Sequence, residues 1–199
     1  MAAQEIAQIQ TRYAKKGLTL SQAALAGANN FIEWAHYPKN DLVDAVSAYE
    51  FYYHAHAQTE MLNGEHGHFH LFKRNGENFH HLIGIALNQQ GLPVRLFTTN
   101  QWVTGEKLLP AELVIEHLRD FDMAIKGRMA PLARWISAMT RLYFADMEML
   151  IVNRDKKIKQ LEIDFGSTKM ALDAKSHHVL SELKINLLDR LSHYLLLSN

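Results

Sequence analysis

His66, His68 and His70 alternate with Gly67 and Phe69, and a second group, His80-His81, follows within the next dozen residues. Of the chain's 12 histidines, the seven at positions 54, 56, 66, 68, 70, 80 and 81 crowd into this stretch. A strand sends every second side chain to the same face, so His66, His68 and His70 would present three imidazoles to one side of a sheet. Imidazole carries protons near neutral pH and is the commonest nitrogen ligand for zinc, copper, iron and nickel. The pattern points to a metal site or a proton-handling surface.

Register brings the second group into play. Asn75-Gly76 favours a tight turn, and a turn centred there would set Arg74 opposite Glu77, Phe72 opposite Phe79 and His70 opposite His81. Facing Cβ atoms lie about 4.5–5.5 Å apart, so His68, His70 and His81 would converge on one ion, with His66 beside them. A loop one residue longer would exchange His80 for His81. Three histidines with an open fourth position suit a divalent transition metal, zinc first and iron or another metal second. The chain has no cysteine, so such a site draws on nitrogen and oxygen ligands. His54, Tyr53 and His80 are the expected supporting residues around it.

The nearest carboxylates in sequence, Glu50 and Glu65, are the candidate general bases. Arg95, Thr98 and Trp102 close the third β-rich run with a guanidinium, a hydroxyl and an indole, and are the candidate substrate contacts. The expected function is a metal-dependent enzyme, a hydrolase or lyase, acting on a small molecule. The alternative is a non-enzymatic binding or pH-sensing protein with a histidine-lined surface, because clustered imidazoles repel once charged.

The run His66-Gly67-His68-Phe69-His70-Leu71-Phe72 also resembles the motif of the histidine-triad nucleotide hydrolases. That resemblance implies His68 as the nucleophile toward an α-phosphate, supported by His66 and His70. It covers seven residues, and Gly67 stands where that family carries an apolar side chain. His68-x-His70 is similar to the cupin motif as well, but Lys73-Arg74 occupies the place of the cupin glutamate.

The elements that must position these residues follow from periodicity. Between Gly64 and Asn100 the apolar period is two, with β-rich runs at 66–73, 79–87 and 94–99, which predicts a three-stranded antiparallel meander. Helical spacing is expected on both sides of it. It covers Gln4 to Ala14, a short helix capped by Ser21, and a helix capped by Asp41 that carries Leu42, Ala45, Val46, Tyr49, Tyr52 and Tyr53 toward His56 or Gln58. It resumes from Pro110 to near Gly127, from Pro131 to Leu161 or to a break near Asn153-Arg154-Asp155, and from Val179 to Leu195. The polar stretch 153–160 is expected to project into solvent. The fold class is therefore α+β, mostly helical, with one small sheet in a single domain over residues 1–199: helical at 1–58, β at 66–100 and helical at 110–199.

Composition fits a folded domain, with 48% apolar and 21% charged residues. Lys+Arg and Asp+Glu both number 21, so no basic field attracts nucleic acid or anionic lipid. No apolar run reaches the roughly 18 residues of a membrane span, and a cytoplasmic location is expected. The leucine-rich C-terminal helix is a possible contact between copies of the chain.

Overall fold

The computed structural model describes residues 1–28, 32–55 and 64–196, with side chains through residue 194. Its elements run α1 (Ala2–Ala14), α2 (Leu20–Ala24), β1 (Tyr37–Val43), β2 (Tyr49–His54), β3 (Gly67–Asn75), β4 (Asn78–Leu87) and β5 (Pro93–Thr99). There follow α3 (Gln101–Thr104), α4 (Ala111–Arg119), α5 (Ala130–Leu142), α6 (Phe144–Phe165), α7 (Thr168–Leu172), β6 (Val179–Lys184) and α8 (Leu187–Leu196). The class is α+β, but the sheet is not the small three-stranded meander expected. It has six antiparallel strands in sequence order, β1 to β6, and the predicted three are its β3, β4 and β5.

Two of the missed strands replace the helix expected from Asp41. Tyr49-Glu50-Phe51-Tyr52-Tyr53 is an aromatic run, which packs better on a pleated surface than on a helix. The turn before it is built locally. The Asp44 carboxylate accepts from the backbone N–H of Val46 at 2.9 Å and of Ser47 at 3.4 Å, and Ala48 takes a left-handed φ of 57°. Asp41, expected as a helix cap, also has φ 50°, and Val46, expected on that helix, is 97% exposed at the turn. The third missed strand, β6, occupies the start of the expected last helix. Its Leu183 lies opposite Leu96 of β5, and α8 begins only at Leu187.

Other boundaries also move. Thr19, not Ser21, caps α2, through a reciprocal box with Gln22, while Ser21 is buried. Helix α4 stops at Arg119 rather than near Gly127, and Phe121 and Met123 enter the core from the irregular link beyond it. Helix α6 runs unbroken to Phe165. Arg154, in the stretch expected to face solvent, is 2% exposed and donates to the Leu109 carbonyl at 2.7 Å.

Alternation divides the sheet into two faces. Tyr49, Phe51, Tyr53, Phe69, Leu71, Ile83, Ile85 and Leu87 join the main core with α1, α4, α5 and α6, centred on buried Trp135. The opposite face carries Glu50, Tyr52 and His54 from β2, His68, His70 and Phe72 from β3, and Arg95 and Phe97 from β5. A bulge at Leu82 allows β4 to contribute His81, opposite Phe72, and Gly84, opposite His70, to that same face. Among the described residues, no helix is long and apolar enough to cross a membrane.

Candidate metal centre

Two backbone pairings assemble the site. His54 of β2 lies directly opposite His68 of β3, and Tyr52 lies opposite His70. The His54 and His68 rings meet edge to face with their Nε2 atoms 2.7 Å apart. The His70 ring centroid is 4.8 Å from that of His68 and 5.1 Å from that of His54. One ligand nitrogen from each of the three lies within 4.8 Å of the others. Tetrahedral zinc with bonds of about 2.0–2.1 Å holds its ligand nitrogens about 3.3–3.4 Å apart, so shifts on the order of 1 Å would seat an ion here. The chemistry fits as well, since three neutral imidazoles supply borderline-soft nitrogen donors.

The pairing differs from the expected one. The two-residue loop is Gly76-Glu77, with Asn75 opposite Asn78, and the bulge at Leu82 then sets His70 opposite Gly84 instead of His81. His81 nonetheless shares the face, and its Nε2 lies 2.9 Å from His70 Nδ1 while its Nδ1 lies 3.2 Å from Thr99 Oγ1. Burial holds its pKa down to about 3, with the Arg154 guanidinium adding to the effect, so it stays neutral. His66 turns toward Tyr53, its Nδ1 2.7 Å from the phenol oxygen. His80 lies 2.5 Å, by its Nδ1, from the Lys107 carbonyl oxygen. His54 comes from a strand rather than from the expected helix, and His56 lies outside the described residues.

Two groups shape the walls. Phe97 packs edge to face against His68 and His70, at 5.2 and 5.7 Å, and covers Gly84 so closely that a Cβ there would come within 2.4 Å of its ring. On the other side the His36 ring stacks on Tyr52 at 3.7 Å and reaches the edge of His54 at 5.7 Å. His36 is itself oriented by Asp41, whose Oδ1 lies 2.9 Å from its Nδ1. Burial, and then the Asp41, Glu50 and Glu106 carboxylates, hold the Tyr52 hydroxyl well above the ordinary phenol range.

The remaining expected residues all have intramolecular partners. Glu50 is paired with Arg74 through both carboxylate oxygens. Glu65 makes a two-pronged pair with Arg95 at 2.6 and 2.9 Å, and Arg95 also donates to Glu182 at 2.8 Å. Thr98 shares a 2.6 Å hydrogen bond with Ser181, and Trp102 donates to the Ala174 carbonyl at 3.0 Å.

Sequence reasoning missed His36, Asp41, Thr99 and Glu106. Glu106 is 2% exposed, accepts from the His81 backbone N–H at 2.6 Å and is raised to about 7 by burial. Nothing local marks these four, because each meets the site through tertiary contacts. His54 was expected only as a supporting residue on a helix, and the signal for its place in the triad is the alternation of Tyr52 and His54 once the aromatic run is read as a strand.

No curated protein and no solved structure matches the chain. A family profile does, over residues 1–185, which takes in all six strands and every residue of the site. The chain belongs to the family described as a domain of unknown function, DUF6969.

Proposed function

We propose that this is a metal-binding protein in which His54, His68 and His70 hold one divalent transition metal, zinc first, and that the bound metal serves an enzymatic reaction on a small molecule. The carrying observation is the 4.8 Å convergence of three ligand nitrogens on a buried face. Burial supports it further. Each of the three is at most 9% exposed, and a buried imidazole is favoured as the neutral form that ligates. Zinc held by three histidines supplies Lewis acidity and a nucleophile at neutral pH.

The chain's own residues support such chemistry in distinct ways. Phe97 and Tyr52 exclude water from the flanks of the imidazoles. We assign the general base to Glu50 rather than Glu65. Arg74, its partner, has a side chain 38% exposed and can swing into solvent, whereas Arg95 is held at 8% between two glutamates.

Elemental analysis of untagged protein purified without chelator tests the reading. About one metal per chain is expected, lost in His54→Ala and in His68→Ala. Metal-free protein that also fails to take up added zinc would overturn it, and would return the histidines to the alternative of a proton-sensing surface.

A further inference from the structure

Three side chains stand in line behind the candidate site: Thr99 Oγ1 next to His81 Nδ1, and His81 Nε2 next to His70 Nδ1. All three residues are 2% exposed, so water does not compete for these contacts. A hydrogen bond between two ring nitrogens needs a proton on one and a lone pair on the other, and a neutral imidazole has one of each. The line therefore runs in one of two directions. If the Thr99 hydroxyl donates inward, His81 donates from Nε2 and His70 keeps its own proton on Nε2, where no metal can bind. If His70 donates outward from Nδ1, His81 donates from its Nδ1 to Thr99, and His70 Nε2 bears the lone pair.

We infer that Thr99 and His81 are positioning residues that fix His70 as the Nδ1–H tautomer, so that its Nε2 lone pair is presented to the metal shared with His54 and His68. This rests on the metal reading above and deepens it. It also gives His81 a different part from that of a ligand, since both of its nitrogens are committed to Thr99 and His70. Metal-bound histidines usually donate their second N–H to a carboxylate, a carbonyl or water. Here the acceptor is a neutral imidazole. It orients the ring without adding negative charge, so the metal keeps its full dipositive charge among three neutral donors.

The test uses the full chain, zinc alone as the probe, and the variants Thr99→Val, Thr99→Ser and His81→Phe. Affinity is read by competition with a chromophoric chelator, and ring tautomers by nitrogen NMR of histidine-labelled protein with and without zinc. We expect His70 and His81 both to carry their protons on Nδ1 in the zinc-loaded chain. Zinc should bind about 10–100-fold more weakly to His81→Phe, as for other lost supporting contacts. Thr99→Val should weaken it in the same direction, and Thr99→Ser should match the unaltered chain. A merely structural role would not separate serine from valine in this way. His70 protonated at Nε2 with zinc bound would overturn the inference. So would undiminished affinity in both Thr99→Val and His81→Phe. Failure of the unaltered chain to bind zinc would overturn the metal reading and this inference together, whereas normal binding with silent variants sinks the relay alone.

Discussion

Gly84 shows how closely the site depends on a single atom. It lies opposite both His70 and Phe97, and its missing side chain is the space into which the Phe97 ring settles. Added as Gly84→Ala, a Cβ would stand 2.4–2.6 Å from three ring carbons, so the ring must lift off the sheet and lose its edge contacts with His68 and His70. Overpacking of this kind costs about 1–3 kcal/mol, which a urea melt would read, and zinc affinity should fall with it. The double variant Gly84→Ala/Phe97→Leu should recover part of the stability. Additive losses would show that the two positions do not interact. Glu106 supports a second prediction at this scale. Its pKa rises from 4.5 to about 7 on burial, so the folded chain holds a proton that the unfolded chain releases, and stability falls as pH climbs from 4.5 to 7. His81 acts in the opposite sense. Held at about 3 against 6.5, it contributes stability above pH 6.5 that is lost as pH drops toward 3. The two partly cancel in the native chain, and Glu106→Gln removes one of them. The variant should gain on the native protein across pH 4.5 to 7, by at most about 3 kcal/mol, and stay level above 7. Chemical denaturation at several pH values measures this, and a pH-independent difference would refute it.

The β1–β2 hairpin is the element that most changes the reading of the chain, because it carries His54 to the site. Its turn depends on Asp44, which accepts from Val46 and Ser47 and also, through Oδ2, from the Ala124 backbone N–H at 2.9 Å. Asp44→Ala should therefore cost about 2–3 kcal/mol, since hydrogen bonds to a charged group are lost at both ends of a link between the hairpin and the segment after α4. Ala48→Gly should act the other way. Relief of the left-handed φ of 57° outweighs the added freedom of the unfolded chain, for a gain of about 0.5–1 kcal/mol in the same melt. This hairpin also marks how far the sequence could be read. The strands holding His68, His70 and His81 were legible from period two and the Asn75-Gly76 signal, and so were α1, α4 and α5 from their apolar stripes. Leu42, Ala45, Val46, Tyr49, Tyr52 and Tyr53 mimic a helical stripe by coincidence, and only the aromatic run at 49–53 speaks against it. Likewise Leu180 and Leu183 continue the leucine spacing of α8 while belonging to β6. The Leu82 bulge had no local signal. It left the face of His81 correct while moving the residue opposite His70 to Gly84.

In the molecule as a whole, the sheet separates two kinds of interior. One face buries aromatic and aliphatic side chains against α1, α4, α5 and α6, and the other buries imidazoles, a phenol and ion-paired carboxylates. The second face contributes less to stability by itself, because buried polar groups repay little beyond their own desolvation. His54 and His68 lie on neighbouring strands and His70 shares a strand with His68, so an ion held by all three ties β2 to β3 and binds only the folded arrangement. Binding to the native state alone adds about 2.7 kcal/mol at a hundredfold excess of free metal over Kd. For a chain of 199 residues that corresponds to a rise in Tm of about 5–11 °C. Calorimetry with and without zinc would show it, and the rise should vanish in His54→Ala and His68→Ala while persisting in His66→Ala, whose ring engages Tyr53 instead. An equal rise in all three variants would place the zinc elsewhere on the chain.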